Sequence, residues 1–563
     1  MPRFTHLSNS VILSAIAVLI LLPAIWHGVF DAMDLQFHLR WTEQFSEQFW
    51  NGDRYPRWLQ NMNAGLGSPA FFFYAPAPFY FTSLFSNFFS AEARQWGQLS
   101  SSIVLAMIAS GFTVYLWLQQ ITNRRTALIG SLLYMALPYH LGVNLYWRFA
   151  FAEYWALVWL PLILYFTHKL IHQSKSAIAG LSVSYALLIM THLPTLVMFA
   201  PVSIAYVLIN QVKAFWKVAI SLTLAIALSA IYLLPALMTQ DAISMNAIRE
   251  GGYLYSNNFL FSRKFLPYHN PYFWMYLEGI AVGMIAIATC AFTVTAKQRE
   301  SRFWFGVSIV SFLMTTPISK PIWAILPALQ RIQFPWRFNA VLLVSVTALI
   351  AIALAKAKIF QSLRPLHLRK VSMTIGVLLT TGLLLTNIGA MKLRLKPIDD
   401  PQVIRAIQIH KETALEYRPK WVAPEFFTNE AIANLAKLPQ NESTIRQWKP
   451  RELVFQSKTQ TESWITLRQF YYPGWFAYTD SKKLDVQPAE RTGLLQVKVP
   501  AGLHQVQVKL GQSSSELAGR LISAIALLIW GALICTLAKS RAIAFSLLGM
   551  LGLCAVFLYF SIW

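Results

Sequence analysis

Apolar residues dominate this chain in long runs, and short polar connections interrupt them. A membrane-crossing helix needs about 20 mostly apolar residues. By that measure the chain predicts spans over approximately 11–29, 98–119, 126–140, 152–167, 176–191, 195–211, 218–235, 272–296, 303–317, 336–355, 371–391, 517–537 and 542–561. The pattern changes between Lys392 and Glu516. Helix-like stretches at Pro401–Tyr417 and Thr428–Leu438 come first, and from Arg451 apolar and polar positions alternate. Leu453–Gln456, Trp464–Phe470, Leu494–Val499 and His504–Leu510 read as period-two strands. Tyr472-Pro473-Gly474 and Pro500-Ala501-Gly502 supply turns between them. One hydrophobic stretch is excluded from the span count. Pro76 and Pro78 break a continuous helix in the aromatic run from Phe71 to Tyr80, which suits an interfacial position.

The expected fold class is therefore all-α and polytopic, with about thirteen transmembrane helices, plus an α+β domain that ends in a small β-sandwich. The implied division is a membrane module over 1–391 with a large first loop at 31–97, a polar domain over 392–516, and two C-terminal helices over 517–563.

Charge fixes an orientation. The connections Asn123–Arg125, His168–Lys175, Gln211–Lys217, Lys297–Arg302, Lys356–Lys370 and Lys539–Arg541 are rich in Lys and Arg, and Glu300 is the sole acid among them. The positive-inside rule puts these ends in the cytoplasm. The longer, aromatic-rich loops (Asp31–Gly97, Met238–Pro271 and Ile318–Pro335) then face outward with the 392–516 domain. The net charge of +23 is accounted for largely by those short connections and does not indicate nucleic acid, because no RNA-binding signature or basic-aromatic run is present. The three cysteines, Cys290, Cys535 and Cys554, lie in apolar spans without metal-ligand spacing and predict no disulfide framework.

The first outward loop opens with Asp31, Asp34 and His38 directly after the first span. Burying charge at the membrane edge is costly and marks a functional position. On a helix the three would fall at i, i+3 and i+7, on one face, able to take a proton or hold a cation.

The loop continues through Trp41, Gly52-Asp53-Arg54-Tyr55-Pro56-Arg57-Trp58, Asn63-Ala64-Gly65-Leu66-Gly67-Ser68-Pro69 and Phe73-Tyr74-Ala75-Pro76. Further along stand Arg148 with Glu153, His192 in Thr191-His192-Leu193-Pro194, and Phe334-Pro335-Trp336-Arg337. Near the end come Tyr471-Tyr472-Pro473-Gly474-Trp475, Asp480 and Val499–His504. This set resembles the bacterial membrane proteins called "6-pyruvoyl-tetrahydropterin synthase-related", of the YfhO-like branch of GT-C integral-membrane glycosyltransferases. The resemblance implies transfer of a sugar from a polyprenyl-phosphate donor on the outer face of the bacterial inner membrane. The acceptor would be a cell-envelope glycan, lipid or protein. An acid in the first outer loop would serve as base or metal partner. The chain lacks the zinc-binding His triad that the pterin name would call for.

Such a reaction needs a base for the acceptor hydroxyl, cationic groups for the leaving phosphate, and a pocket. Asp31 or Asp34 is the candidate base, with Asp31 favoured because it leaves the first span directly. The plainer reading is that Asp31 caps a helix and Asp34 pairs with Arg40 or Arg57. Glu153 is a candidate second carboxylate or one half of an ion pair with Arg148. His38 either orients Asp34, with or without a metal, or is a hydrogen-bonded interfacial histidine. The Asp31/Asp34 pair could instead hold Mg²⁺ or Mn²⁺. Arg337 is the candidate for the donor phosphate, with Arg249 next and Arg331 beside it, since guanidinium matches phosphate geometry. Trp336 would lie against isoprenoid or sugar, and His192 is a further polar group at the outer ends of two spans. A headgroup contact is the alternative for any single loop Arg. Gly65 and Gly67 fit a tight turn or a close backbone approach, not a nucleotide loop. Two rival functions are a transporter or flippase of a lipid-linked saccharide, and a non-catalytic glycan-binding subunit. Polar groups at one mouth and the lack of a repeat speak against the transporter.

Overall fold

The computed structural model describes residues 2–91, 93–174, 176–244, 251–262, 270–357, 367–397, 414–437, 443–480 and 482–537. The chain runs α1 (Pro2–His27), β1 (Gly28–Phe30), α2 (Leu35–Trp50), α3 (Ala70–Phe73), α4 (Ala77–Ser83), α5 (Arg94–Ile121), α6 (Arg124–Ala136), a π-helical stretch (Tyr139–Trp147) and α7 (Phe151–Ile171). It continues through α8 (Ala177–Ile189), α9 (Leu193–Asn210), α10 (Phe215–Leu228), α11 (Ala230–Met238), α12 (Pro271–Thr295), α13 (Arg299–Met314), α14 (Lys320–Ile325), α15 (Pro327–Gln330), α16 (Asn339–Ala357), α17 (His367–Arg394) and β2 (Leu395–Pro397). Then follow α18 (Asn429–Ala436), β3 (Ser443–Lys449), β4 (Glu452–Thr459), β5 (Ser463–Phe470), β6 (Trp475–Thr479), β7 (Lys482–Leu484), β8 (Val486–Pro488), β9 (Leu494–Val499), β10 (Gly502–Leu510) and α19 (Ser514–Leu537).

Among the described residues nine helices are long and apolar enough to cross a membrane, or eleven if two bent pairs each count as one span. The sequence predicts more. The predicted 176–191 span is realised as α8, a helix of 13 residues, short for a crossing. The predicted 542–561 span lies outside the described residues.

Two compact units share the chain: 1–35, 96–226 and 249–403 form one, and 36–95, 227–248 and 404–563 the other.

In the first unit α16 is the hub, with 83% of its apolar window buried, against 6% for α17. Helix starts follow local chemistry. The Asn123 side chain accepts from the amides of Arg125 and Thr126 at 3.1 Å, capping α6. Asn270 caps α12 in the same way, at Tyr272 and Phe273. The π-helical stretch after Pro138 approaches its neighbour closely. A Cβ on Gly142 would lie 1.8 Å from the Tyr276 hydroxyl. Wide π turns frequently accompany functional sites. The first span leads into β1, which pairs antiparallel with β2, Phe30 opposite Leu395.

The second unit holds two antiparallel sheets, ordered β3-β4-β10-β6-β7 and β5-β9-β8. The four sequence-predicted strands are present as β4, β5, β9 and β10, and four more accompany them. One apolar core, including Phe455, Leu467, Val497 and Val506, is shared with Trp58, Leu66 and Phe72 of the first loop. Gly65 and Gly67 have φ of +88° and +84°. At Gly67 the space a Cβ would take belongs to the Trp58 ring, 2.4 Å away, so the loop fits only as glycine. Helices α3 and α4 are 4 and 7 residues long, so the Phe71–Tyr80 run makes no crossing. The Pro401–Tyr417 helix prediction falls mostly on residues outside the described set.

Candidate functional site

Polar side chains gather in the first unit where the π-helical stretch, the start of α7 and the Phe334–Arg337 turn meet. Glu153 lies in the first turn of α7 with 1% of its side chain exposed. Arg148 Nη1 reaches its Oε2 at 3.0 Å, and Arg337 Nε reaches the same oxygen at 3.3 Å. Its Oε1 accepts from the Tyr139 hydroxyl at 2.6 Å. Both carboxylate oxygens are therefore engaged, as a buried charge requires. Arg337 also donates to the Ile332 carbonyl at 2.7 Å.

Asp34 is the open member of the group. Arg148 Nη2 stands 3.9 Å from its Oδ2, and 40% of the Asp34 side chain remains exposed. Backbone bonds set it there: the Asp34 amide donates to the Arg148 carbonyl at 2.8 Å and the Met33 amide to the Trp147 carbonyl at 3.1 Å. Desolvation by the surrounding groups raises the Asp34 pKa above the ordinary carboxylate value, against the pull of Arg148 and Arg337. Arg148 shows the converse balance. Burial opposes its charge, but Glu153 and Asp34 outweigh it and raise its pKa.

Aromatic rings line the guanidiniums. Arg148 lies 4.6 Å from the Trp336 ring centroid and Arg337 lies 4.8 Å from that of Phe334. Phe334 and Trp336 stack at 5.1 Å. Two residues beside these groups hold left-handed backbone, Phe149 at φ +55° and Gln333 at φ +68°. Such strain clusters at functional sites. His192, just before α9, exchanges a hydrogen bond with Thr195 Oγ1 at 2.7 Å. Burial, followed by the Arg337 charge, pushes its pKa down to about 3, so it is neutral at physiological pH. Asn144, on the π-helical stretch, is buried, and its amide has no hydrogen-bond partner among the described residues.

The predicted set is thus partly assembled. Asp34, Arg148, Glu153, Trp336 and Arg337 come together, and His192 is near enough to feel their charges. Asp31 stands apart, paired with Arg394 at 3.5 Å and 61% exposed. Asp31 and Asp34 do not share a helix face. Strand β1 keeps the chain extended to Phe30 and α2 begins only at Leu35. Arg331 is exposed after α15, and Arg249 lies outside the described residues. His38 is buried on α2 among the rings of Trp41, Tyr74 and Phe79, at 6.2–6.3 Å.

Arg57 is not the partner of Asp34. It is fully buried in the second unit, bonded to Glu516 at 3.1 Å and to the Ile231 carbonyl at 2.8 Å. That leaves it no exposed nitrogen for a substrate. Arg40 pairs with Glu43 at 3.6 Å. Tyr139 was not foreseen, since one tyrosine in an apolar run carries no signal.

The donor set does not suit a divalent cation. Glu153 has spent both oxygens, Arg148 faces Asp34, and Asp31 is paired with Arg394. Among the described residues no three His, Cys, Asp or Glu side chains stand close enough to hold a metal ion.

Comparison with known proteins places the chain. Three solved structures of the Archaeoglobus fulgidus oligosaccharyltransferase share a loose structural likeness. The form tethered to an acceptor peptide carrying an NVT sequon has a TM-score of 0.42 at 13% identity, over 74% of this chain and 60% of that one. The apo form gives 0.37 at 15%, over 77% and 58%. The enzyme, AglB, with an inhibitory peptide and a dolichol-phosphate gives 0.38 at 13%, over 74% and 56%. The chain thus spans about three fifths of the length of that enzyme. No curated protein matches the sequence. The pattern of the family described as "6-pyruvoyl-tetrahydropterin synthase related domain; membrane protein" matches residues 71–388, more than half of the chain and the part that contributes Tyr139, Arg148, Glu153 and Arg337. The chain belongs to that family of membrane proteins.

Proposed function

We propose that the chain is a membrane glycosyltransferase that moves a sugar from a polyprenyl-phosphate donor to an envelope glycan, lipid or protein on the outer face of the bacterial inner membrane. The observation that carries the reading is Asp34, a half-open carboxylate with raised proton affinity, held 3.9 Å from a guanidinium that is itself buried.

The chemistry follows from that pairing. Asp34 takes the proton from an acceptor hydroxyl, and a base of raised pKa does so with more driving force. The acceptor oxygen bonds to the anomeric carbon as the bond from that carbon to the phosphate oxygen breaks. The electron pair leaves with the polyprenyl phosphate. Arg148 and Arg337 sit where that developing charge needs cations. Glu153, itself held by the Tyr139 hydroxyl, keeps the two guanidiniums in place, so Glu153 positions rather than reacts. The Trp336 and Phe334 rings give the sugar or the first isoprene units an apolar wall. Family membership supports the reading, because the resemblance includes Arg148, Glu153 and Phe334–Arg337, and the family match spans them.

The test is transfer of label from a synthetic polyprenyl-phosphate sugar series by the purified chain, compared with mass spectrometry of envelope glycans in cells lacking it. A glycan that disappears from the cells and reappears in the reaction supports the proposal. Transport of the intact lipid-linked sugar into vesicles without bond cleavage defeats it.

A further inference from the structure

Four helices of the first unit, α6, α12, α16 and α17, enclose a lateral groove with about 270 Å³ of open volume. Leu133, Cys290, Leu354, Gly376, Val377 and Thr380 are among its walls. Glycines keep α17 close to α12 on either side of it. A Cβ on Gly376 would meet Cys290 at 3.3 Å, and one on Gly283 would meet Leu383 at 2.9 Å. Elsewhere α17 is thinly covered, and Val377 is 60% exposed at the groove's edge.

The lining selects for hydrocarbon. It carries no charged residue. Two of its three hydroxyls are used locally: Ser372 bonds with Thr293 at 2.7 Å and Thr380 donates to the Gly376 carbonyl at 2.7 Å. The volume falls below the roughly 300–1,000 Å³ of pockets that enclose a whole small molecule, which suits a single chain.

The groove's rim selects for negative charge. Three of the four walls meet a basic residue within about one helical turn. Arg125 lies one turn before Ile129 on α6, Lys297 follows Val294 of α12, and Lys356 follows Leu354 of α16. The one acid in these connections, Glu300, is held by Tyr206 at 2.8 Å and Trp304 at 3.2 Å. Basic clusters between transmembrane helices bind anionic lipid headgroups.

We propose that this groove is a binding site for an anionic phospholipid, one acyl chain lying along α17 and the phosphate at the basic helix ends. The lipid would complete the packing of α17, whose far end holds Arg394 on Asp31. The site is separate from the Asp34 group and does not depend on the proposed transfer.

The experiment is lipid analysis of the full chain purified in mild detergent, then thermal melting after exchange into nanodiscs of phosphatidylglycerol or phosphatidylcholine. Phosphatidylglycerol should persist through detergent washing in roughly equimolar amount and raise Tm above the phosphatidylcholine sample. Gly376→Phe, which fills the groove, should lose that retention. If Gly376→Phe does not fold, Val377→Trp fills it from the exposed side. Arg125→Gln with Lys297→Gln should keep the acyl site but lower the preference for phosphatidylglycerol by about tenfold or more, taking each basic residue near a headgroup at its usual worth. Equal retention of both lipids, retention unchanged in the filled variants, or an isoprenoid lipid in place of the phospholipid would overturn the proposal.

Discussion

Arg148 lies 3.9 Å from Asp34 while bonding Glu153 at 3.0 Å, so one guanidinium ties an open acid to a buried one. The two carboxylates differ in what they can do. Glu153 has no unpaired oxygen, whereas Asp34 is reachable and holds a proton more tightly than an ordinary aspartate. Asp34→Asn should lower transfer by roughly 10²–10⁴-fold, the usual contribution of a general base, with expression and Tm preserved. Asp31→Asn should leave most of the activity, because that acid is paired with Arg394 at 61% exposure. The reverse ranking in a transfer assay would move the base to Asp31.

A pH profile offers an independent check on the same carboxylate. Burial raises the Asp34 pKa and Arg148 opposes the rise. Activity should therefore climb with pH through a midpoint above the ordinary aspartate value, and Arg148→Gln should move that midpoint further up. Stability runs the other way. A raised folded-state pKa gives a contribution that is full below the unfolded value and lost as pH rises through the folded one. His192 has the opposite sign. Its pKa of about 3 lies below the unfolded value, so its contribution is present above about 6.5 and is lost as pH falls toward 3. His192→Gln should consequently leave the acid limb of the activity profile in place.

Much of this was legible in the sequence, and what was not has physical reasons. The Arg148/Glu153 pair and the Phe334–Arg337 turn stand out because charge inside an apolar pattern is rare. Leaving the first span directly favours Asp31 over Asp34 in the sequence, yet Asp31 is paired with Arg394 and Asp34 with Arg148, a difference that comes from β1 pairing with β2 at the far end of α17, a contact no local pattern encodes. Tyr139 is one of 22 tyrosines, and only the π-helical turn aims it at Glu153. Arg57, a possible partner of Asp34 by its place in the first loop, is instead paired with Glu516, which lies more than 450 residues away in sequence and so leaves no local trace. A signal for Glu516 existed. Ser513 and Glu516 form a capping box before an apolar run, with reciprocal bonds of 2.9 and 3.1 Å. Edge strands β7 and β8, of three residues each, are too short to show alternation.

Glu153→Gln should destabilise the first unit. The change leaves Arg148 and Arg337 buried without their shared counter-charge, and breaking a buried pair costs about 3–5 kcal/mol. A thermal melt in detergent measures it. Adding Arg337→Met should recover part of the loss by removing one stranded cation. A Glu153→Gln protein that melts like wild type would show that water already satisfies the two guanidiniums.

Gly67→Ala tests how the first loop is seated in the second unit. Its φ of +84° costs a side chain about 1–3 kcal/mol in itself. The added methyl would also lie 2.4 Å from the Trp58 ring and 2.2 Å from the Gln469 amide. The Gln469 contact can yield by rotation, although it would sacrifice the 2.7 Å bond to the Leu66 carbonyl. The indole cannot yield, because Trp475 lies 5.8 Å from it and Tyr472 6.0 Å away, edge-on and tilted. The expected result is a lowered melting temperature with loss of Trp58 burial, read as a red shift in tryptophan emission. Gly52→Ala is the control. It has φ of +108° but nothing within 4 Å of the new Cβ, so it should show the backbone cost without the emission change. Equal emission spectra for the two variants would mean that Trp58 is not wedged against this loop.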